Sequence, residues 1–254
     1  MLRFFFYMIL CSGLFYSVGC QLNRKLIVLS PSQIISSERG RRGIEAQEQG
    51  HWKEAEKHLE EAVKLNKKDA AVRLHYADVL WQNGKREESL RQLDDIAKHC
   101  GGEDANLQIS LAEKYLEMQH YELAERSAAE AVRLAPTQYR AWVLSGKTKM
   151  CLAATANASE TRRYYLEAKE DYLRAASLSQ DQKDILRNEI LPKLAETQRR
   201  CGQPQQALAT LLSLEKMYPQ GKEPAALLQC KAETLFDLNR NPEATACLNT
   251  LRQR

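Results

Sequence analysis

Residues 105–138 read ANLQISLAEKYLEMQHYELAERSAAEAVRLAPTQ, and the period of their apolar positions decides the fold. The first half puts Leu111, Ala112 and Tyr115 on one helical face. The second half does the same with Tyr121, Ala124, Ala128 and Ala131, and Ala135-Pro136 stops it. Two short helices therefore meet at a turn near Met118-Gln119-His120.

Working outward, the register of this stretch extends over everything from residue 36. The residue equivalent to Ala112 is Gly43, Ala77, Gly146, Ala195 or Ala232 in the other copies. The residue equivalent to Ala124 is Ala55, Ser89, Ala168, Ala207 or Ala244. Eleven of these twelve positions are Ala or Gly, as close approach of two helices requires, because a larger side chain would push them apart. Seven residues further on, Ala62, Ile96, Ala131, Ala175, Leu214 and Leu251 stay apolar and suit packing on the next copy. The copies span about 36–69, 70–104, 105–138, 139–182, 183–222 and 225–254. In the fourth the small pair, Gly146 and Ala168, is set further apart than in the other five by an insertion around CLAATANASE. Its Ala-rich part is expected to lengthen the first helix, and Ser159 before Glu160 to cap the second.

The small Ala112 and Ala124, Tyr121 and Pro136 resemble the roughly 34-residue tetratricopeptide repeat. Trp142-Val-Leu-Ser145-Gly146 is likewise similar to the family's Trp-x-x-Leu-Gly, and Gly50-His51-Trp52 to its turn. The resemblance implies an all-α fold, a right-handed superhelix of about six helix pairs. A polar capping helix usually closes such a stack. None follows the sixth copy here, so Leu248 and Leu251 are expected to be partly uncovered, either fraying or meeting another subunit or partner.

The composition agrees with helices. The hydrophobic fraction of 44% and charged fraction of 28% belong to a folded chain. The 11 Gly and 7 Pro fall mostly where helices should end. A net charge of +4, with bases and acids interleaved, argues against a nucleic-acid partner.

Residues 4–19, FFFYMILCSGLFYSVG, carry no charge but are short for a membrane span and read as a secretory h-region. Ser17-Val18-Gly19-Cys20 resembles the lipobox of bacterial lipoproteins, although Ser17 stands where that family usually has Leu. The resemblance implies a signal peptide over 1–19 and acylation of Cys20, with Gln21 favouring the outer membrane, facing the periplasm, in a Gram-negative host. An uncleaved signal anchor and ordinary secretion are the alternatives. Residues 20–35, with Pro31 flanked by serines, read as an extended tether.

Five cysteines remain after Cys20, an odd number that precludes complete pairing, although Cys230 and Cys247 fall on the two helices of one copy. The plainer reading is that they are small packing residues. The histidines are scattered singly, with no zinc spacing, and no nucleophile elbow, phosphate loop or dinucleotide fingerprint is present. The expectation is a protein without catalysis, cofactor or metal.

What the family resemblance supplies is a groove lined by first-helix side chains. It would show His75, Asp78, Trp81 and Gln82 from the second copy, and Ile109, Glu113, Leu116 and Glu117 from the third. Lys147 and Met150 follow from the fourth, then Lys193, Glu196 and Arg199, and finally Glu233 and Phe236. Trp81 is either a groove anchor or a packing residue between neighbours. The Lys and Asn clamp by which co-chaperone members grip a carboxylate is not matched. The expected role is a membrane-anchored scaffold binding a protein or peptide. Similar bacterial lipoproteins act as pilotins or dock cell-wall enzymes. The alternatives are an enzyme with a site near the insertion, or a structural protein that self-associates through the last copy.

Overall fold

A Cβ on Gly43 would stand 2.5 Å from Cγ of Leu59 and 3.2 Å from its backbone nitrogen, so the first two helices touch where only glycine fits. The same contact, made through alanine or serine in most copies, builds the chain. The computed structural model describes residues 30–99, 103–219 and 221–253. Among these there are helices and no strands: α1 (Pro31–Glu48), α2 (Trp52–Leu65), α3 (Ala70–Gln82), α4 (Arg86–His99), α5 (Ala105–Glu117) and α6 (Tyr121–Leu134). Then come α7 (Tyr139–Thr155), α8 (Ala158–Leu178), α9 (Lys183–Ile185), a π turn (Leu186–Ile190) and α10 (Leu191–Arg200). The chain closes with α11 (Pro204–Glu215), α12 (Ala225–Asp237) and α13 (Asn241–Arg252). The run from 183 to 200 is one helix, so twelve helices pair into six hairpins, each packed on the next.

All twelve small positions are buried, from Gly43 and Ala55 to Ala232 and Ala244. Five of the six hairpins turn through a residue in the left-handed region: Gly50, Gly84, Gln119, Gly202 and Asn239. The following N–H then reaches back to close the turn, a geometry that helix ends commonly adopt. His120 donates to the Tyr115 carbonyl at 2.8 Å, and Lys85 to that of Leu80 at 2.8 Å. Gly supplies the left-handed conformation freely, whereas Gln119 adopts it at a cost.

The fourth hairpin is built differently. Both its helices are long, 17 and 21 residues against 13 or 14 in the second and third hairpins. The Ala-rich insertion lengthens α7 as expected. The cap of α8 is a correction: Asn157, not Ser159, accepts the Glu160 N–H at 3.1 Å. Ser159 instead donates to Asn157 at 2.7 Å. Asn157 wins because the helix starts at Ala158, which already makes Ser159 helical.

The first hairpin starts earlier than the reading of residues 20–35 as tether allows. α1 begins at Pro31, with Ser30 as N-cap and Gln33 closing a capping box. A proline at the first helical position gives up no hydrogen bond there, so Pro31 opens a helix instead of marking a loop. The signal segment 1–19, Cys20 and the rest of the tether to 29 lie outside the described residues, as does Cys100-Gly101-Gly102. No described helix is long and apolar enough to cross a membrane. The last helix runs to Arg252 with Leu248 and Leu251 half-buried.

Candidate functional site on the first-helix face

Counted from the small residue of each first helix, the side chains divide by position. The residue four further on is one turn away on the same face, and it reaches the next hairpin. Gln47 of α1 is the first of these. Its Oε1 lies 2.9 Å from His75 Nδ1 and its amide donates to Asp78 at 2.6 Å, so α1 is tied to α3. Trp81 is the second. It packs half-buried on the core joining the second and third hairpins, with the Arg86 guanidinium 5.0 Å from its ring centre. Leu116 is buried and Met150 half-buried at the same position. Arg199 spans from α10 to α12, 2.8 Å from Glu233 and 3.3 Å from Asp237. Only in the last hairpin, with no described neighbour beyond it, is this residue exposed, as Phe236 at 43%.

The residue one after the small position is Ile44 in α1, packed on the core, but from the second hairpin on it is charged and half-buried or exposed. Asp78 also accepts from Lys114 of α5 at 3.1 Å, and Lys114 turns to Glu117 at 3.0 Å. Glu113 pairs with Arg140 of α7 at 3.2 Å, and Lys147 is exposed beside them. Burial opposes the charge on Lys114, but its bonds to Glu117 and Asp78 lift it above the ordinary amine range. Burial holds His75 below the ordinary imidazole value of 6.5 despite Asp78 nearby.

Of the residues expected in the groove, the structure thus joins His75 and Asp78 in one polar ladder and leaves Glu113 and Lys147 on the same face. Ile109 is a correction. It is only 3% exposed and belongs to the core, because three residues before Ala112 is the same face one turn earlier. Gln47, Lys114 and Arg140 complete the ladder and lie outside the set that sequence position singles out. Gln47 has a visible signal, since it occupies in α1 the position that Trp81 occupies in α3.

A cavity of about 570 Å³ lies elsewhere, between the fifth and sixth hairpins. Two features create it. The connection from α11 to α12, residues 216–224, is nine long, whereas the other described connections between hairpins have four. In addition, Pro192 interrupts the first helix of the fifth hairpin. Proline has no N–H, and in an unbroken α-helix its ring would strike the carbonyl four residues back. The π turn avoids that clash: Leu191 donates to Leu186, five back, and the next donor in that series would be the N–H that Pro192 lacks. The Arg187 carbonyl so released accepts from Tyr218 Oη at 3.4 Å, and Asn188 Oδ1 lies 3.3 Å from the same hydroxyl. The Arg187 guanidinium lies 5.1 Å from the Tyr218 ring centre. The long connection is thereby held against the π turn, and the space between them stays open.

The floor of this cavity is apolar, formed by the buried Leu211, Leu214 and Leu227. Its rim is charged, with Lys193, Arg199 and Arg200 from α10 and Glu233 from α12. Cys230 also lines it, whereas Cys247 lines a separate hollow of about 270 Å³ with Leu228 and Lys231. The two cysteines are free and do not pair. Burial raises the Cys230 thiol above its usual value, which disfavours the reactive thiolate.

Near the long fourth hairpin, Asp171 is buried and accepts from Ser145 and from Lys149, both at 2.7 Å. Burial pushes its carboxyl up, against the pull of Lys149 and Ser145. This is an ion pair within one hairpin, joining α7 to α8.

Comparison with known proteins follows the same geometry. Residues 46–99, covering the end of α1 to the end of α4, match the family model described as tetratricopeptide repeat. No curated protein sequence matches the chain significantly. Among solved structures, a tetratricopeptide repeat protein from Parabacteroides merdae aligns with a TM-score of 0.66 at 15% identity, over 87% of this chain and 80% of its own. The pilF protein of Pseudomonas aeruginosa aligns at 0.60 and 14%, over 85% and 90% of the two chains. MamA from Desulfovibrio magneticus aligns at 0.57 and 15%, over 74% and 96%. These likenesses establish the fold, a solenoid of paired helices like that of tetratricopeptide-repeat proteins.

Proposed function

We propose that this solenoid is a scaffold that holds a partner protein or peptide on its first-helix face, anchored in the cavity between the fifth and sixth hairpins. The cavity carries the proposal. It combines accessible apolar side chains, among them Pro192, Tyr218 and Ala226, with a charged rim, the mixture that recognition sites use. By contrast, the first-helix face from α1 to α7 is laced by Gln47, His75, Asp78, Lys114, Glu113 and Arg140, which mostly satisfy one another. His75, Asp78, Glu113 and Lys147 then serve as a polar flank along which the partner continues.

The site of action is the bacterial envelope, with Cys20 carrying lipid and the solenoid facing the periplasm in a Gram-negative host. The lipobox-like Ser17-Val18-Gly19-Cys20 supports this reading. Two or more acyl chains on Cys20 would hold the protein on a bilayer, since each buried methylene contributes about 0.8 kcal/mol. Within that setting, the role is to guide an envelope component or dock a cell-wall enzyme.

Affinity purification from native membranes tests the scaffold, comparing wild type with Ala226→Trp. Ala226 is exposed on α12 and lines the cavity, so the indole fills the opening without entering the core. Loss of a wild-type partner from the variant supports the proposal, and unchanged recovery of every partner refutes it. For the anchor, Cys20→Ala must abolish palmitate incorporation, and unchanged labelling would rule lipidation out.

A further inference from the structure

We infer that the segment anchored between the fifth and sixth hairpins is acidic as well as apolar: a stretch of partner protein carrying an aliphatic side chain beside Asp or Glu. The inference rests on the reading of this cavity as the partner's anchor. The apolar half of it follows from Pro192, Tyr218, Pro224, Ala226 and Cys230, the accessible apolar side chains of the lining, which lie over the buried Leu211, Leu214 and Leu227.

The acidic half follows from which charges are already neutralised. Lys193 is held by Glu196 at 2.9 Å, and Arg199 by Glu233 at 2.8 Å and Asp237 at 3.3 Å. These pairs cancel. Two bases that line the cavity are left. Arg200 is exposed, and among the described residues no carboxylate pairs with it. Arg187 leans on Asp184 at 2.7 Å, but that carboxylate is 83% exposed, so water screens the pair. The Nε–H groups of Arg187 and Arg199 are buried without an acceptor.

An incoming carboxylate would gain charge-assisted bonds from the arginines, which bind it more strongly than a neutral group does. A lysine-bearing segment would instead be repelled by Arg187 and Arg200, while Glu196 and Glu233 of the lining are already engaged by Lys193 and Arg199. The selectivity differs from a grip on a chain terminus, because it needs only side-chain carboxylates.

Fluorescence anisotropy on the full chain in mild detergent tests the inference. The probes are three short labelled peptides with blocked termini and a shared leucine pair, flanked by Asp, Ser or Lys. The Asp peptide should bind about tenfold more tightly than the Lys peptide, a single good ionic contact's worth, and added salt should erode the difference. Arg187→Gln with Arg200→Gln should abolish the preference between the Asp and Lys peptides. Arg200→Gln alone, at an exposed side chain, should reduce it. Equal binding of Asp and Lys peptides overturns the charge selectivity and leaves the cavity as anchor standing. Failure of all three peptides to bind overturns both. Self-association of the chain that the same substitutions abolish would assign the cavity to a second copy, and would also overturn the inference.

Discussion

Gly146 lies against the ring of Tyr172: a Cβ on the glycine would stand 2.9 Å from Cε2 and 3.1 Å from Cδ2 of a side chain that is only 1% exposed. In the fourth hairpin a tyrosine ring fills the space that leucine fills against Gly43. A glycine inside a helix costs about 1 kcal/mol relative to alanine, so Gly146→Ala would ordinarily stabilise. Here overpacking outweighs propensity, and the substitution should destabilise by about 1–2 kcal/mol. Gly43→Ala should cost more, since backbone as well as side chain of Leu59 is in the way. Urea denaturation followed by circular dichroism measures both.

Gln119 holds a φ of 62° at a turn where three other hairpins use glycine. Gln119→Gly should therefore raise stability by about 1 kcal/mol, because strain removed from the turn exceeds the entropy that glycine adds to the unfolded chain. Gly84 sits at φ 79° with open space where a methyl would go. Gly84→Ala should lower stability by a similar amount, through backbone strain alone. The pair of thermal midpoints, moving in opposite directions, is the check.

Burial depresses His75 below 6.5, which gives its contribution a definite sign. The unfolded chain binds the proton more readily than the folded one. The stability that neutral His75 provides is present above pH 6.5 and is lost as pH falls through the depressed folded value. Denaturation midpoints should fall on acidification from neutral pH, and His75→Gln should show a shallower fall over that window.

Asp171 is 5% exposed and accepts from Lys149 and Ser145, so removing its carboxylate leaves a largely buried ammonium with only Glu167, 4.0 Å away, to balance it. Asp171→Ala should cost about 3 kcal/mol. Asp171→Asn, which still accepts from Ser145, should cost less. Equilibrium unfolding of the two variants decides.

The six hairpins were legible because the need for small residues where two helices touch is local, and it repeats at fixed spacing from Gly43 and Ala55 to Ala232 and Ala244. The start of α1 was not, since Pro31 between serines has the composition of a loop and becomes a helix start only through the Ser30 and Gln33 capping box. The groove was half legible. Asp78 and Glu113 follow from position, but Ile109 shows that groove and core faces differ by a single residue step. The cavity escaped sequence reading because it depends on a tertiary consequence of Pro192: a π turn, a released carbonyl, and Tyr218 of a distant connection drawn to it. The proline in mid-helix was the visible sign.

Whether the partner sits between the fifth and sixth hairpins is decided most directly by photo-crosslinking in native membranes, with a photoreactive residue at Gln229 or at Arg126. Gln229 is exposed on α12 at the cavity, and Arg126 is exposed on α6, away from it. A discrete protein adduct at Gln229, absent at Arg126 and lost when Ala226→Trp fills the opening, is the predicted result. Adducts at Arg126 with none at Gln229 would contradict it and move the binding surface to the second-helix face.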